Sequence, residues 1–126
     1  RRKAKLHHNE QLEIANIIYN NFKPNNVFDF GCGLGTYLLG LKRLGAKVSG
    51  CDKYFEYARE YCSKEIVNDI FTRDIEQKIC LKKSFDLVIC IETAEHINRN
   101  CSNMLVENIA RHANKYICTH KHAYKY

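Results

Sequence analysis

The feature that most constrains the fold is the run Asp29-Phe30-Gly31-Cys32-Gly33-Leu34-Gly35, in which three glycines occupy alternate positions. It overlaps an apolar segment, residues 27–30, that predicts a buried strand, and it precedes apolar residues at helical spacing up to Gly45, which predicts a helix ending there. Glycines let a backbone turn sharply and approach a ligand that a Cβ would block. The following helix presents free N–H groups to that ligand. The run predicts a ligand-binding strand–loop–helix unit, although a plain tight turn uses the same residues.

The same alternation of strand and helix continues along the chain. Further strands are predicted at residues 47–51, 65–68, 85–91 and 115–119. Helices are predicted at residues 6–22 and 54–62, and from Ser102, a helix-capping residue type, to Ala113. Strands that alternate with helices indicate an α/β fold, in which a parallel sheet carries helices on both faces.

Composition limits the class of protein. The 126 residues match one domain, and eight tyrosines, six phenylalanines and a single proline argue against disorder. No stretch reaches the ~18 apolar residues that read as a membrane span. Seven cysteines without a C-x-x-C spacing predict reduced thiols and a cytoplasmic protein. The net charge of +6 is scattered, which disfavours a nucleic-acid groove without excluding nucleic acid as a partner.

Asp52 lies just after the second predicted strand. At the equivalent point of dinucleotide-binding folds, a carboxylate accepts hydrogen bonds from ribose hydroxyls. The alternative is that Asp52 caps the helix predicted from Tyr54.

With these motifs the chain resembles the class I S-adenosylmethionine-dependent methyltransferases, whose first motif is D/E-x-G-x-G-x-G. The nicotinamide fingerprint G-x-G-x-x-G fits less well, because its sixth position is Thr36. A nicotinamide-binding module is therefore the least favoured alternative. The segment Glu92-Thr93-Ala94-Glu95-His96 is similar to the family's E-x-x-E-H motif, and Asn68-Asp69-Ile70 is similar to the acidic position after its third strand.

The resemblance implies a three-layer Rossmann-like sheet of strand order 3-2-1-4-5. One domain is expected over residues 1–126, with an N-terminal helix (1–24), a core (25–119) and a tail (120–126). Because the tail is too short for two more strands, the prediction is a fold truncated relative to the seven-strand family. A second copy or another protein is expected to cover the exposed sheet edge.

The resemblance also implies the cofactor S-adenosyl-L-methionine and methyl transfer to an O, N or C acceptor, with a small molecule favoured. The alternative is a reduced, inactive domain that binds the cofactor or a partner. The implied cofactor-binding residues are Asp29, Gly31, Cys32, Gly33, Gly35, Asp52, Lys53, Asp69, Ile70, Cys90 and Glu92.

The implied catalytic residues are His96, the candidate general base, and Glu95. On a helical turn Glu92, Glu95 and His96 share one face, an arrangement that could instead shape the pocket or ligate a divalent cation. No metal ligand is predicted.

Overall fold

The computed structural model describes residues 2–91 and 102–119. The first half contains α1 (Arg2–Phe22), β1 (Asn26–Phe30), α2 (Thr36–Arg43), β2 (Lys47–Asp52) and the short helix α3 (Phe55–Ala58). Two 3₁₀ turns, Arg59–Tyr61 and Val67–Asp69, lead to β3 (Ile70–Thr72). The second half contains β4 (Phe85–Ile89), α4 (Ser102–His112) and β5 (Ala113–Cys118).

The strands form one five-stranded sheet in the order β3-β2-β1-β4-β5, and every described pairing is parallel. The predicted fold class and strand order are confirmed. In the central strand, Phe30 pairs with Cys51 of β2 and Asp29 pairs with Ile89 of β4. Parallel strands bring their carboxyl ends to one edge of the sheet, where ligands bind in open α/β folds. The glycine loop (residues 31–35) therefore lies at the edge where a ligand is expected.

Helices cover both faces of the sheet. On one face, Ile14 and Ile18 of α1 and Leu38 and Leu41 of α2 form a buried core. On the other, α4 packs against the aromatic side chains of β1 and β4, with a core that includes Phe28, Phe30, Phe85, Leu105 and Ile109. Successive residues of β1 alternate between these cores, as the pleat of a strand requires.

Local backbone chemistry ends the first two helices. After α1, Lys23 adopts a left-handed φ of 42° and its N–H donates to Tyr19 O at 2.7 Å. After α2, Gly45 has φ of 114° and donates to Lys42 O, while Ala46 N–H donates to Leu41 O. This pair of bonds is the Schellman arrangement, and it confirms Gly45 as the residue that ends α2.

The third strand is not where the sequence pattern placed it. Residues 65–68 do not form a strand; Ile66 is buried beside a 3₁₀ turn, and β3 is Ile70–Thr72. Pairing explains the shift, because Ile70 and Phe71 align with Gly50 and Cys51 of β2. The helix predicted over residues 54–62 is also shorter, since α3 ends at Ala58.

The amino ends of β1 and β4 are joined by side chains. Asn25 N–H donates to Asp86 Oδ2 at 2.8 Å, and Asp86 N–H donates to Asn26 Oδ1 at 2.8 Å. Asn26 Nδ2 completes the set by donating to Ser84 O at 3.2 Å. These three bonds, the amino-end pin, fix the register of the central strand pair.

At one edge of the sheet, residues 114–117 of β5 are exposed. Within residues 2–91 and 102–119, none of the helices combines the length and the apolar character that a membrane span requires.

Candidate functional site

The glycine loop turns back on the end of β2. Gly31, Gly33 and Gly35 all have left-handed φ values, of 75°, 57° and 76°. The N–H groups of Gly31 and Cys32 both donate to Cys51 O, at 2.8 and 3.0 Å. Left-handed φ is readily available to glycine and strained for most other residues, so the D-x-G-x-G-x-G spacing is required by this loop conformation.

The last two glycines of the loop face different surroundings. A Cβ on Gly33 would meet no atom within 4 Å. A Cβ on Gly35 would lie 2.7 Å from both Ile66 Cδ1 and Ile70 Cδ1. Gly35 therefore makes room for the protein's own side chains, whereas the space beside Gly33 is open for a ligand. This packing explains the glycine at position 35, and its expected role in cofactor binding stays a prediction.

Asp52, at the end of β2, is joined to the glycine loop. Its Oδ1 accepts from Gly33 N–H at 3.1 Å, and its Oδ2 accepts from Tyr54 N–H at 3.0 Å. The bond from Tyr54 N–H closes a local turn and does not cap α3. The N-cap residue of α3 is Tyr54 itself, and no side chain caps that helix end. A carboxylate has about four acceptor positions. Within residues 2–91 and 102–119, two of these positions carry no bond, so the structural and ligand-binding interpretations of Asp52 are compatible.

Asp29 is a buried carboxyl group, 2% exposed, near the end of β1. Burial, and secondarily the negative charge of Asp52, raises the pKa of Asp29 well above its ordinary value. Desolvation disfavours the ionised form of this carboxyl group. A positively charged ligand group nearby would favour the ionised form of Asp29.

The cysteines around this carboxyl are protonated. Burial raises the pKa of Cys51 to about 12 and, with the charge of Asp29, raises the pKa values of Cys32 and Cys90. Cys32 lies in the glycine loop, and Cys90 follows β4, where its N–H donates to Cys118 O at 3.0 Å. As neutral thiols these residues are poor nucleophiles and serve as apolar lining.

Lys53 connects the ends of β2 and β3. Its Nζ lies 3.8 Å from Asp74 Oδ2 and 5.7 Å from the centre of the Tyr54 ring. The side chain is half exposed, so it is free to reorient toward an anionic ligand group.

The placement expected for Asp69 and Ile70 is wrong. Both precede or begin β3, so Asp69 lies at the amino end of that strand rather than at its carboxyl end. The Asp69 carboxylate is bound by Lys42 Nζ at 2.8 Å, and Ile70 is buried against the position of Gly35. The two residues support α2 and the glycine loop instead of following the third strand.

The carboxyl end of β3 leads to Asp74 and Ile75, which the sequence analysis missed. Thr72 pairs with Asp52, so Asp74 lies just beyond the same edge of the sheet as the Asp52 carboxylate. Asp74 Oδ1 accepts from Glu76 N–H at 2.9 Å, and Asp74 O accepts from Gln77 N–H at 3.1 Å. The available signal was the apolar pair Ile70-Phe71 followed by Asp74-Ile75, which repeats the strand-then-acid order of β2 and Asp52.

Three predicted residues, Glu92, Glu95 and His96, lie outside the described residues. Of the expected cofactor-binding residues, the structure brings Asp29, the glycine loop, Asp52 and Lys53 together around the ends of β1 and β2. Cys90, the residue after β4, lies near them, and the charges of Asp29 and Cys51 contribute to its raised pKa.

The donor set indicates what kind of ligand fits. The open side of Gly33 admits a ligand close to the backbone, and the free acceptor positions of Asp52 match a pair of hydroxyl groups. The buried carboxyl of Asp29 matches a positively charged group. A ribose-containing ligand with a cationic portion satisfies all three.

Comparisons with known proteins agree with this geometry. Residues 5–117 match a family model described as a methyltransferase domain. A search of curated proteins finds no match.

Among solved structures, the PH0226 protein from Pyrococcus horikoshii OT3 is 26% identical with a TM-score of 0.68, over 83% of this chain and 51% of that one. Magnesium protoporphyrin IX methyltransferase from Synechocystis PCC 6803, solved with bound SAM (S-adenosylmethionine), is 24% identical with a TM-score of 0.64, over 86% of this chain and 55% of that one.

The glycopeptide N-methyltransferase MtfA, complexed with sinefungin, has the same fold at 14% identity, with a TM-score of 0.63 over 79% of this chain and 48% of that one. This chain thus spans about half the length of these structures. Since the family model covers most of the sequence, from α1 to β5, the chain belongs to the methyltransferase domain family.

Proposed function

We propose that this chain binds S-adenosylmethionine at the carboxyl end of the sheet and transfers its methyl group to an O, N or C acceptor. The observation that carries the proposal is the pairing of Gly33 with Asp52: an open glycine whose N–H is held by a carboxylate with free acceptor positions. Membership of the methyltransferase domain family and the fold shared with SAM-bound structures support it.

The proposed division of roles follows the described residues. Gly33 gives the cofactor close access to the backbone, and Asp52 accepts hydrogen bonds from the ribose hydroxyls. Asp29 balances the positive charge of the methionine portion. Asp74 and Ile75, at the end of β3, replace Asp69 and Ile70 as the residues on the adenine side.

Methyl transfer requires the protein mainly to position the cofactor beside the acceptor. When bound, the cofactor supplies a methyl group already activated by a sulfonium centre. The chain's residues hold that ligand in one orientation beside the acceptor, and alignment of this kind provides a large part of a two-reactant rate acceleration. His96 as general base, Glu95 beside it and Glu92 with Cys90 in the pocket floor complete the proposal as predictions.

The acceptor side belongs to the same proposal. We favour a small-molecule acceptor because the scattered basic residues form no continuous stripe along the sequence. Among the described strands β5 lies at one edge of the sheet, and we propose a second copy of the chain or another protein as the partner over its exposed residues.

A thermal melt with S-adenosylhomocysteine tests cofactor binding. A ligand that binds only the folded state stabilises it, by ~2.7 kcal/mol at about 100 times its Kd. We expect the melting temperature to rise with S-adenosylhomocysteine and to stay unchanged with NAD. A folded preparation that responds only to NAD, or to neither ligand at millimolar concentration, contradicts the proposal.

Transfer of a labelled methyl group from S-adenosylmethionine to a panel of alcohols, amines and activated carbons then tests turnover. Incorporation that depends on the chain supports an active enzyme. Binding without transfer to any acceptor would instead favour the reduced, cofactor-binding alternative.

A further inference from the structure

The β3–β4 segment (residues 73–84) has neither helix nor strand, yet part of it is deeply buried. Ile75 is 6% exposed and Ile79 is fully buried, and both belong to the core beneath β1 and β4. Backbone groups at such positions need hydrogen-bond partners in place of water. The partners come from one side of α4.

Asn108 of α4 is fully buried and bonds to three backbone groups of the segment. Its Nδ2 donates to Ile75 O at 3.1 Å and to Gln77 O at 2.8 Å, and its Oδ1 accepts from Ile79 N–H at 2.8 Å. Arg111 adds a bond from Nη1 to Ile79 O at 2.8 Å and another to Asn108 Oδ1 at 3.0 Å.

His112, 1% exposed, holds the far end of the same stretch. Leu81 N–H donates to His112 Nε2 at 2.9 Å, so Nε2 carries no proton and Nδ1 donates to Asn108 O at 2.7 Å. The ring centre lies 5.6 Å from that of Phe30, the last residue before the glycine loop. Asn108, Arg111 and His112 are together called the α4 clamp.

The α4 clamp acts on the stretch that begins directly after Asp74. Asn108 of the clamp donates to the carbonyl of Ile75, which is the residue directly after Asp74. Helix packing alone would be served by apolar side chains, as Leu105 and Ile109 show on the same face. The buried asparagine and histidine instead supply hydrogen-bond partners to the β3–β4 segment, which has no helix or strand bonds of its own. These bonds fix the conformation of the segment.

We propose that Asn108 is a positioning residue for cofactor binding: through the carbonyls of Ile75 and Gln77 it sets where Asp74 and Ile75 stand on the adenine side of the site. The inference rests on the proposed function. It assigns recognition of the base to a helix that follows β4, on the face of the sheet opposite α1 and α2.

The test variant is Asn108→Asp, which keeps the size of the side chain and the acceptor for Ile79 N–H. It replaces the two N–H donors by a carboxylate oxygen that faces the carbonyls of Ile75 and Gln77. Calorimetry measures the Kd values of S-adenosylhomocysteine and of S-inosylhomocysteine, which carries hypoxanthine in place of adenine. We expect affinity for S-adenosylhomocysteine to fall at least about tenfold, since two buried hydrogen bonds are lost. The preference for adenine over hypoxanthine should shrink with it.

Two controls separate positioning from stability. Asn103→Asp makes the same chemical change at an exposed position of α4 and should change neither Kd. Ile14→Val weakens the core on the other face of the sheet and should lower the melting temperature while leaving the adenine preference intact.

Each result of these measurements either supports or overturns the inference. Folded Asn108→Asp protein that keeps wild-type affinity, or that loses affinity equally for both ligands, overturns the inference. If Asn108→Asp does not fold, Arg111→Met replaces it as the test, because it removes only the two bonds that an exposed side chain makes to Ile79 O and to Asn108. A shift of at least roughly twofold in the adenine preference supports the inference, and no shift contradicts it. A wild-type protein that binds neither ligand contradicts the proposed function itself, so the two failures are distinguishable.

Discussion

The two sides of the candidate site are built differently. On the proposed ribose side, the glycine loop and Asp52 are joined directly to each other, by a bond between Gly33 and Asp52 that spans 19 positions. On the proposed adenine side, the β3–β4 segment takes its shape from α4, and the bond between Ile79 and Asn108 spans 29 positions. The first side is specified by local backbone chemistry, and the second by side chains supplied from elsewhere in the fold. Substitutions on the two sides should therefore change ligand affinity and stability in different ways.

The largest effect is expected at Gly33. Gly33→Asn should lower S-adenosylhomocysteine affinity at least about a hundredfold, or ~2.8 kcal/mol, because its side chain enters the open space beside the loop. Asparagine tolerates the left-handed φ of 57° better than other side chains, so the melting temperature should change little. Calorimetry and thermal melts measure the two quantities.

Gly45→Asn is the matched control for Gly33→Asn. Gly45 also has a positive φ, but it lies at the end of α2. This control should lose stability and keep its affinity. If Gly33→Asn binds S-adenosylhomocysteine with wild-type affinity, the ligand does not occupy the open space beside the loop.

Asp52→Ala should have the next largest effect. It removes the proposed acceptor for two hydroxyls as well as the bond to Gly33 N–H. Because hydrogen bonds to a charged group contribute roughly 1.5–3 kcal/mol each, affinity should fall at least about tenfold. Glu56→Ala, an exposed carboxylate on α3, should leave the Kd unchanged. Equal Kd values for folded Asp52→Ala and wild type would restrict Asp52 to its local turn.

Asp74→Ala and Asp69→Ala test the corrected adenine side against the original assignment. Asp74→Ala should weaken binding by roughly two- to tenfold, the range for one hydrogen bond. Asp69→Ala should leave the Kd unchanged and lower stability by at most ~1 kcal/mol, because it breaks only a partly exposed ion pair with Lys42. The reverse result in calorimetry would restore Asp69 to the site.

The smallest effect concerns the stability of the ligand-free protein. The pKa of Asp29 is raised in the folded state by burial and by Asp52. Folding is therefore favoured while Asp29 is protonated, and stability falls as the pH rises through this raised pKa. Asp29→Asn removes that penalty, so its melting temperature should exceed that of wild type by more at about pH 7 than at about pH 4. A difference that is flat with pH, as expected for the exposed control Glu56→Gln, would contradict it.

The difference between the two sides also explains which features could be predicted from the sequence. The glycine spacing, Asp52 after an apolar strand and Gly45 after a helix are local signals, and the structure confirms the loop and the helix end that they predict. The strand order, which the family resemblance implied, is confirmed as well. Each signal depends on backbone conformation, which a few neighbouring residues determine.

The third strand was misplaced because two short apolar pairs compete. Ile66-Val67 and Ile70-Phe71 are equally apolar, and only pairing with β2 selects the second. Because the strand was misplaced, the acidic residue expected after it was Asp69, whereas Asp74 follows the strand that the structure shows. The α4 clamp gave no sequence signal, because Asn108 and His112 resemble solvent-facing polar residues until their partners in the β3–β4 segment are known.

The amino-end pin has a consequence for the order in which the molecule is assembled. It joins Asn26 to Asp86 across 60 positions, whereas Gly33 reaches Asp52 across 19. Closing the longer loop costs about 1 kcal/mol more in chain entropy, and the chain must also be synthesised to β4 before it can close. We expect the β1–β2 unit to acquire protection early in pulse-labelled hydrogen exchange, and β4 with the α4 clamp to follow. A newly made chain would then form the half proposed to bind ribose before the half proposed to distinguish one base from another.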